Sequence, residues 1–217
     1  LPGDRTHPVV FMDCVLSPGS LSLIPLYILA LLKYVAFRVG QSTRLDDRVF
    51  AMSQMKCLPL TYLLQAIYPD LYPVNNLEQY PEVTVGDQNV HIPPRLHLSA
   101  ERIDSTGIFL LDDSTSIIIY VGHNIHPSIC SSYFDVTHFT SIPQDMFDLP
   151  KLDNPVSERL HNFVNYLQSD KPYSVPIQII RDDSHHRMRF IGRLIEDKTE
   201  GGPSYYEFLQ HIKALIK

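Results

Sequence analysis

From Leu21 to Leu32 the chain runs twelve residues without a charge, interrupted only by Pro25. A membrane span needs ~20 apolar residues, so the run is too short to cross one. It predicts a buried helix instead, with Ser20 or Ser22 near its start, Pro25 in its first turn, Arg38 near its end and Gly40 as its stop. Apolar on nearly all sides, this helix is expected at the centre of a small bundle. A second helical pattern begins at "TRLDDRVFAMSQMKC", with Asp46 and Asp47 in the first turn and Val49, Met52 and Met55 at helical spacing. Pro59 interrupts it and opens a third helix, "PLTYLLQAIYP", which Tyr68-Pro69 closes.

The pattern then changes. Pro69, Pro73, Pro81, Pro93 and Pro94 punctuate a polar stretch containing Asn75-Asn76 and Gly86-Asp87, which reads as extended loop and as a domain boundary. From Arg95 the runs become strand-like: "RLHL", "GIFLLD", "SIIIYVG" and "VPIQIIRD". Ile108–Leu111 and Ile117–Val121 are apolar at successive positions, without the alternation of a half-exposed strand, so the sheet is expected to carry helices on both faces. Helical patterns around Pro127–Val136, Ser157–Gln168 and Ser184–Asp197 are available to cover it. A last helix, Ser204–Lys217, follows Gly201-Gly202-Pro203, with Ser204 and Glu207 at capping-box spacing. The expected class is α+β: a helical part over 1–80, a mixed part over 81–200 and a terminal helix over 201–217 that packs back on the body.

Composition narrows the partners. A hydrophobic fraction of 44% with 19% charged residues suits a folded core rather than a disordered chain. The formal net charge is −6 and no Lys/Arg run exceeds a pair, which argues against a nucleic-acid surface. The seventeen prolines and nine glycines favour extended connections over flexible linkers. Cys14, Cys57 and Cys130 are too far apart for a CxxC zinc pair and are expected as buried free thiols. The opening Leu1-Pro2-Gly3 has no signal-peptide pattern and reads as the start of a piece excised from something longer.

Four constellations raise the question of chemistry. Asp112-Asp113-Ser114-Thr115-Ser116 joins two strand-like runs, and these residue types favour turns by bonding nearby backbone, so the acidic pair is expected to be a bend rather than a dyad. Asp46-Asp47 and Asp182-Asp183 each precede a helical pattern and are expected to cap it. His185 and His186 are adjacent and point apart on a helix, so they are expected in solvent. His123 and His126, three apart, lack an acidic neighbour in sequence and make a poor zinc pair. GxSxG, P-loop, GxGxxG and HExxH motifs are all missing, which weighs against an enzyme.

Five stretches together carry a resemblance: "SLIPLYILALLKYVAFR", "STRLDDRVFAM", "GIFLLDDSTSIIIYVG", "LPKLDNPVSERL" and "LIEDKTEGGPSYYEFLQHI". The chain from about Pro18 to Lys217 resembles the carboxy-terminal region of the cargo-adaptor subunit of the COPII inner coat, the Sec-twenty-four type. That resemblance implies a helical domain, a gelsolin-like domain and a final helix. It implies a non-enzymatic subunit on the cytosolic face of the endoplasmic reticulum that selects cargo for transport to the Golgi. The implied partners are the sister inner-coat subunit, the cytosolic export signals of membrane cargo and, indirectly, the membrane and a Sar-type GTPase. The family's zinc finger and most of its cargo pockets lie upstream of the matching region, so no cofactor is implied for this chain. A cargo groove to which the C-terminal region contributes is implied, and Met188, Phe190 and Tyr206 are its candidate peptide contacts; the competing reading makes all three core residues.

Calcium-binding gelsolin members carry an acidic residue where this chain has Ile108 and a Glu in the following helix, where "HNIHPSICSSYFDV" has none. Calcium binding is therefore not expected, because a hard cation needs several oxygen ligands. The family's aromatic in the second strand is Tyr120 here, which requires a partner for its hydroxyl. The alternative function, an actin-binding gelsolin-type module, would use a long apolar helix after the hairpin. The corresponding segment is short, starts at Pro127 and is rich in Ser and Cys.

Overall fold

The structure is a computed structural model that describes residues 21–38, 43–86, 88–144 and 146–215. The expected cap at Ser20, the stop at Gly40, Cys14 and Lys217 lie outside the described residues. The chain divides into two compact units. One takes in the sequence up to Tyr68, Leu98–Ala100 and everything from Gly192 on; the other takes in Pro69–His97 and Glu101–Ile191.

The first unit is helical. α1 (Ile24–Lys33) starts with Pro25 in its first turn and ends at Tyr34, after which Val35–Phe37 forms a 3₁₀ turn. It stops short of the expected end near Arg38, whose Nε instead donates to the Lys33 carbonyl at 2.8 Å. Leu26, Leu29, Ala30 and Lys33 are buried, while Ile24 (45% exposed), Ile28 (44%) and Leu32 (53%) face outward. Among the described residues, the helix expected at the centre of a bundle is thus covered on one face and open on another. α2 (Leu45–Cys57) and α3 (Leu60–Ile67) follow, separated at Pro59; Asp46 and Asp47 sit in the first turn of α2 as expected, but they do not cap it, since the N-cap position is Arg44 and no side chain bonds the first amides. Cys57 is exposed, contrary to the buried-thiol expectation, and Cys130 is buried.

The unit is closed by α7 (Tyr205–Leu215), which contacts α1. Its start is a reciprocal capping box: the Glu207 amide donates to Ser204 Oγ at 3.2 Å, and the Ser204 amide to Glu207 Oε2 at 2.9 Å. Lys33, 2% exposed, donates from Nζ to the carbonyls of Ile195 (2.8 Å) and Asp197 (2.5 Å). A buried ammonium thus ties α1 to the segment leading into α7.

The second unit is built on a four-stranded sheet in the order β1-β4-β5-β6. β1 (Asp70–Pro73), β4 (Ile108–Asp112) and β5 (Ile117–Val121) pair antiparallel; β6 (Ile177–Arg181) pairs parallel with β5. Because β1 pairs with β4, the mixed unit begins at Pro69, not at the expected 81. Residues of β4 and β5 are buried throughout, as their unbroken apolar runs required. One face of the sheet packs Ile108, Leu110, Ile117, Ile119, Val121 and Ile179 against Cys130, Tyr133 and Phe134 of α4 (Pro127–Phe134) and Leu160, Phe163 and Val164 of α5 (Pro155–Ser169). Asn154 caps α5 by accepting from the Ser157 amide at 2.8 Å. On the opposite face Phe190 stacks on Tyr120, with ring centroids 4.2 Å apart.

Two elements depart from expectation. The stretch read as loop contains a separate hairpin, β2 (Glu82–Val85) and β3 (Gln88–His91), turning at Gly86 with φ +61°. The helix expected over Ser184–Asp197 shrinks to α6 (Met188–Ile191). Downstream of it, the carbonyls of Ile195 and Asp197 accept from Lys33 rather than from a helical ladder.

Candidate functional site

The Asp112-Asp113 bridge is a turn, and its hydrogen bonds say why. Asp113 Oδ1 accepts from the amides of Thr115 (3.0 Å) and Ser116 (2.7 Å) and from both their hydroxyls; Asp112 Oδ1 accepts from the Ser114 amide at 2.9 Å. Ser114 takes φ 68°, which this side-chain scaffold supports. Asp112 does more than turn the chain. Its Oδ2 meets Lys171 Nζ at 2.6 Å, both side chains being nearly inaccessible. Burial raises the Asp112 pKa, against the pull of Lys171 and the Ser114 amide. Asp70 lies directly opposite across the β1–β4 ladder and pairs with Arg95 at 3.3 Å.

A second polar cluster sits at the ends of the parallel strands β5 and β6. Tyr120 Oη donates to Asp182 Oδ1, and His123 Nδ1 contacts Asp182 Oδ2. The Tyr120 hydroxyl thus has the partner its position demands. Burial alone would raise the Asp182 carboxyl; hydrogen bonds from Tyr120 and His123, with Arg187 nearby, outweigh it and leave its pKa lowered. Tyr120 is shifted the other way, raised by burial and by the hydrogen bond to Asp182. Gly122 allows the backbone to approach here: a Cβ on it would stand 2.2 Å from the Ser105 carbonyl oxygen. Next to it, Arg181 grips Asp183 with two nitrogens (2.8 and 2.7 Å), donates to the carbonyls of Thr140 and Ile142, and lies over the Phe139 ring. Asp182 and Asp183 therefore anchor loops instead of capping a helix, a correction to the expectation. No sequence spacing announces this, because the partners Tyr120 and His123 are about sixty residues away.

The candidate peptide contacts separate on inspection. Phe190 is fully buried against Tyr120, so it is a core residue and offers no contact to a peptide. Met188 and Tyr206 are each 56% exposed; Met188 belongs to the mixed unit and Tyr206 to the helical one. The His185 and His186 rings lie against one another, tilted by 44° with centroids 3.8 Å apart, His185 being exposed and His186 partly so. His126 caps α4, accepting from the Ser128 amide at 3.2 Å, and does not converge on a site with His123. Among the described residues no group of three or more His, Cys, Asp or Glu side chains is placed to hold a metal ion. An open groove of about 810 Å³ runs along the start of α5, lined by Gln88, Asp153, Glu158, His161 and Asn162. It gathers no nucleophile with a base. No helix among the described residues is long and apolar enough to cross a membrane.

A helical module followed by a buried, helix-covered mixed sheet defines a two-module chain, and each module matches a family model: the Sec23/Sec24 helical domain over residues 12–65 and the gelsolin repeat over residues 89–164. The chain is 44% identical over 204 residues to protein transport protein Sec24B of Homo sapiens, covering 94% of this chain and 16% of that protein. It is 41% identical to human Sec24A over 92% of its length and 30% identical to protein transport protein sec24 of Schizosaccharomyces pombe over 91%. The crystal structure of the human COPII-coat protein Sec24c superposes with a TM-score of 0.80 at 26% identity, covering 92% of this chain and 27% of that one. The chain belongs to the Sec24 family and carries its helical and gelsolin-like domains. It spans 16–18% of the length of the human Sec24B and Sec24A proteins it matches.

Proposed function

We propose that this chain is the helical and gelsolin-like part of a non-enzymatic coat subunit, a cargo adaptor for transport from the endoplasmic reticulum to the Golgi. The observation that carries this reading is that over nine-tenths of the chain aligns, with both modules in one run, to proteins named for transport. The buried titratable groups point the same way. Asp112 and Lys171 are spent on one another, and Arg181 is spent on the carbonyls of Thr140 and Ile142 and on the exposed Asp183, so these buried charges serve the fold rather than a pocket. In this reading the chain works on the cytosolic face of the membrane, pairs with the sister inner-coat subunit and needs no cofactor or calcium of its own. Its part is to hold the shape on which recognition of export signals depends.

The test places the chain in a whole subunit. The matching segment of human Sec24B is replaced by this chain, and the chimera is mixed with the purified sister subunit in sedimentation velocity. A one-to-one complex of the affinity shown by unaltered Sec24B is expected. A folded chimera that stays separate contradicts the reading. Actin filament co-sedimentation of the chain is expected to be empty, and filament binding would instead install the gelsolin-type actin module.

A further inference from the structure

We infer that the groove along the outer face of α5 is a docking site for a basic, extended peptide segment of a partner protein. The inference goes beyond the adaptor reading and rests on the groove alone, so either can fail without the other.

Helical spacing builds the floor. Asn154, Glu158, His161 with Asn162, and Asn165 follow one another at intervals of three and four, while Ser157, Leu160, Phe163 and Val164 turn inward and are buried. At the helical rise per residue, the floor from Asn154 to Asn165 is about 16 Å long, which takes about five residues of extended chain. Gln88 at the start of β3 and the Lys151–Pro155 segment leading into α5 complete the lining. All of these residues belong to the mixed unit.

Hydrogen bonds decide what the groove still has to offer. Asn154 is fully used: its Oδ1 accepts from the Ser157 amide, and its Nδ2 donates to the Ser132 carbonyl at 3.1 Å. Asn162 Nδ2 donates to the Asn89 carbonyl at 3.4 Å, and His161 Nε2 to the Pro150 carbonyl at 3.0 Å. These bonds fix the floor against the hairpin and the entering segment. Asp153, Glu158, Lys151, Gln88 and Asn165 are different. Each is exposed, and among the described residues no hydrogen bond or ion pair engages its side chain. The start of α5 therefore presents two uncommitted carboxylates. Asn165 farther along it, and Gln88 on the hairpin, present carboxamides that both donate and accept.

That difference describes the occupant. Carboxylates only accept hydrogen bonds, so they call for a cation that donates them, and Lys151 sets one positive charge against two negative while pairing with neither. A guanidinium or ammonium on the incoming chain meets that need. The free carboxamides match a peptide backbone, which offers one N–H and one C=O per residue. An acidic segment would meet Asp153 and Glu158 with like charge, and an apolar one would cover polar groups without bonding them. A basic extended segment answers both parts of the groove.

The probe is a fluorescein-labelled hexapeptide, Arg-Ser-Arg-Ser-Gly-Ser, titrated against the chain in fluorescence anisotropy. Saturable binding is expected. Asp153→Asn with Glu158→Gln removes both charges at nearly constant shape and is expected to weaken binding about tenfold. Asn165→Ala is expected to weaken it about threefold. Because these side chains are exposed, the melting temperatures are expected to stay unchanged. Asp46→Asn with Asp47→Asn takes the same charge from α2, in the helical unit, and is expected to leave binding as it was. A flat titration up to about 1 mM peptide, or unchanged affinity in either groove variant, overturns the proposal. An equal loss in the Asp46/Asp47 variant also overturns it, by reducing the effect to net charge. Tighter binding of Glu-Ser-Glu-Ser-Gly-Ser would overturn it in favour of an anion held by Lys151.

Discussion

Single residues carry much of what holds each unit together, and Lys33 makes the most testable case. Its ammonium is buried between α1 and the segment before α7, and burial lowers its pKa to about 8, with nearby Arg38 adding to the shift and Asp197 opposing it. In the unfolded chain a lysine titrates near 10.4. Between those values the unfolded state holds more protons than the folded one, so Lys33 makes stability rise as pH climbs from about 8 to about 10.5. Urea midpoints measured at pH 7.5 and 9.5 for wild type and Lys33→Met check this: the wild-type midpoint is expected to gain on the variant's at the higher pH. A constant difference would mean that the two carbonyl hydrogen bonds hold the lysine charged throughout. Tyr72, Tyr120 and Tyr133 carry the opposite sign, their pKa values raised chiefly by burial, and they take stability away only above pH 10.

At the scale of elements, what the sequence made legible depended on whether the signal was local. β4 and β5 were readable because both faces of the sheet are covered and the runs Ile108–Leu111 and Ile117–Val121 are apolar at successive positions. α7 was readable from Ser204 and Glu207, whose side chains bond each other's amides. Ser204→Ala removes one of those bonds and is expected to cost about 1 kcal/mol of helix stability. Hydrogen exchange of the Glu207 amide is expected to accelerate while the α5 amides, capped independently by Asn154, hold their protection. β1 was missed because Pro69 and Pro73 argue against a strand, yet β1 is the edge of its sheet, where proline is tolerated. The β2–β3 hairpin was missed for a related reason. Gly86-Asp87 is a turn signal, but the surrounding prolines and the exposure of β2 hid the alternation of Val83 and Val85. The helix expected over Ser184–Asp197 failed because its periodicity stands over a unit boundary at Gly192, and the carbonyls beyond it are held by a lysine far away in sequence. The same distance hid the Tyr120–Asp182–His123 cluster. Phe190 was singled out as a surface contact because aromatic residues serve both cores and interfaces, and only its stacking on Tyr120 decides between the two.

At the scale of the whole molecule, two modules that match two family models occur in one chain, and the central strands of the gelsolin-like sheet are buried. The exposed apolar row Ile24, Ile28 and Leu32 on α1 contrasts with that sheet and belongs to a chain that spans less than a fifth of its human relatives' length. The adaptor function proposed above concerns the longer protein, so it is best measured there. The decisive measurement is cargo packaging into vesicles reconstituted from purified coat components, with the matching segment of human Sec24B replaced by this chain. The account predicts that the chimera packages membrane cargo at a level comparable to unaltered Sec24B. A chimera that folds and joins the coat but leaves cargo behind would contradict it.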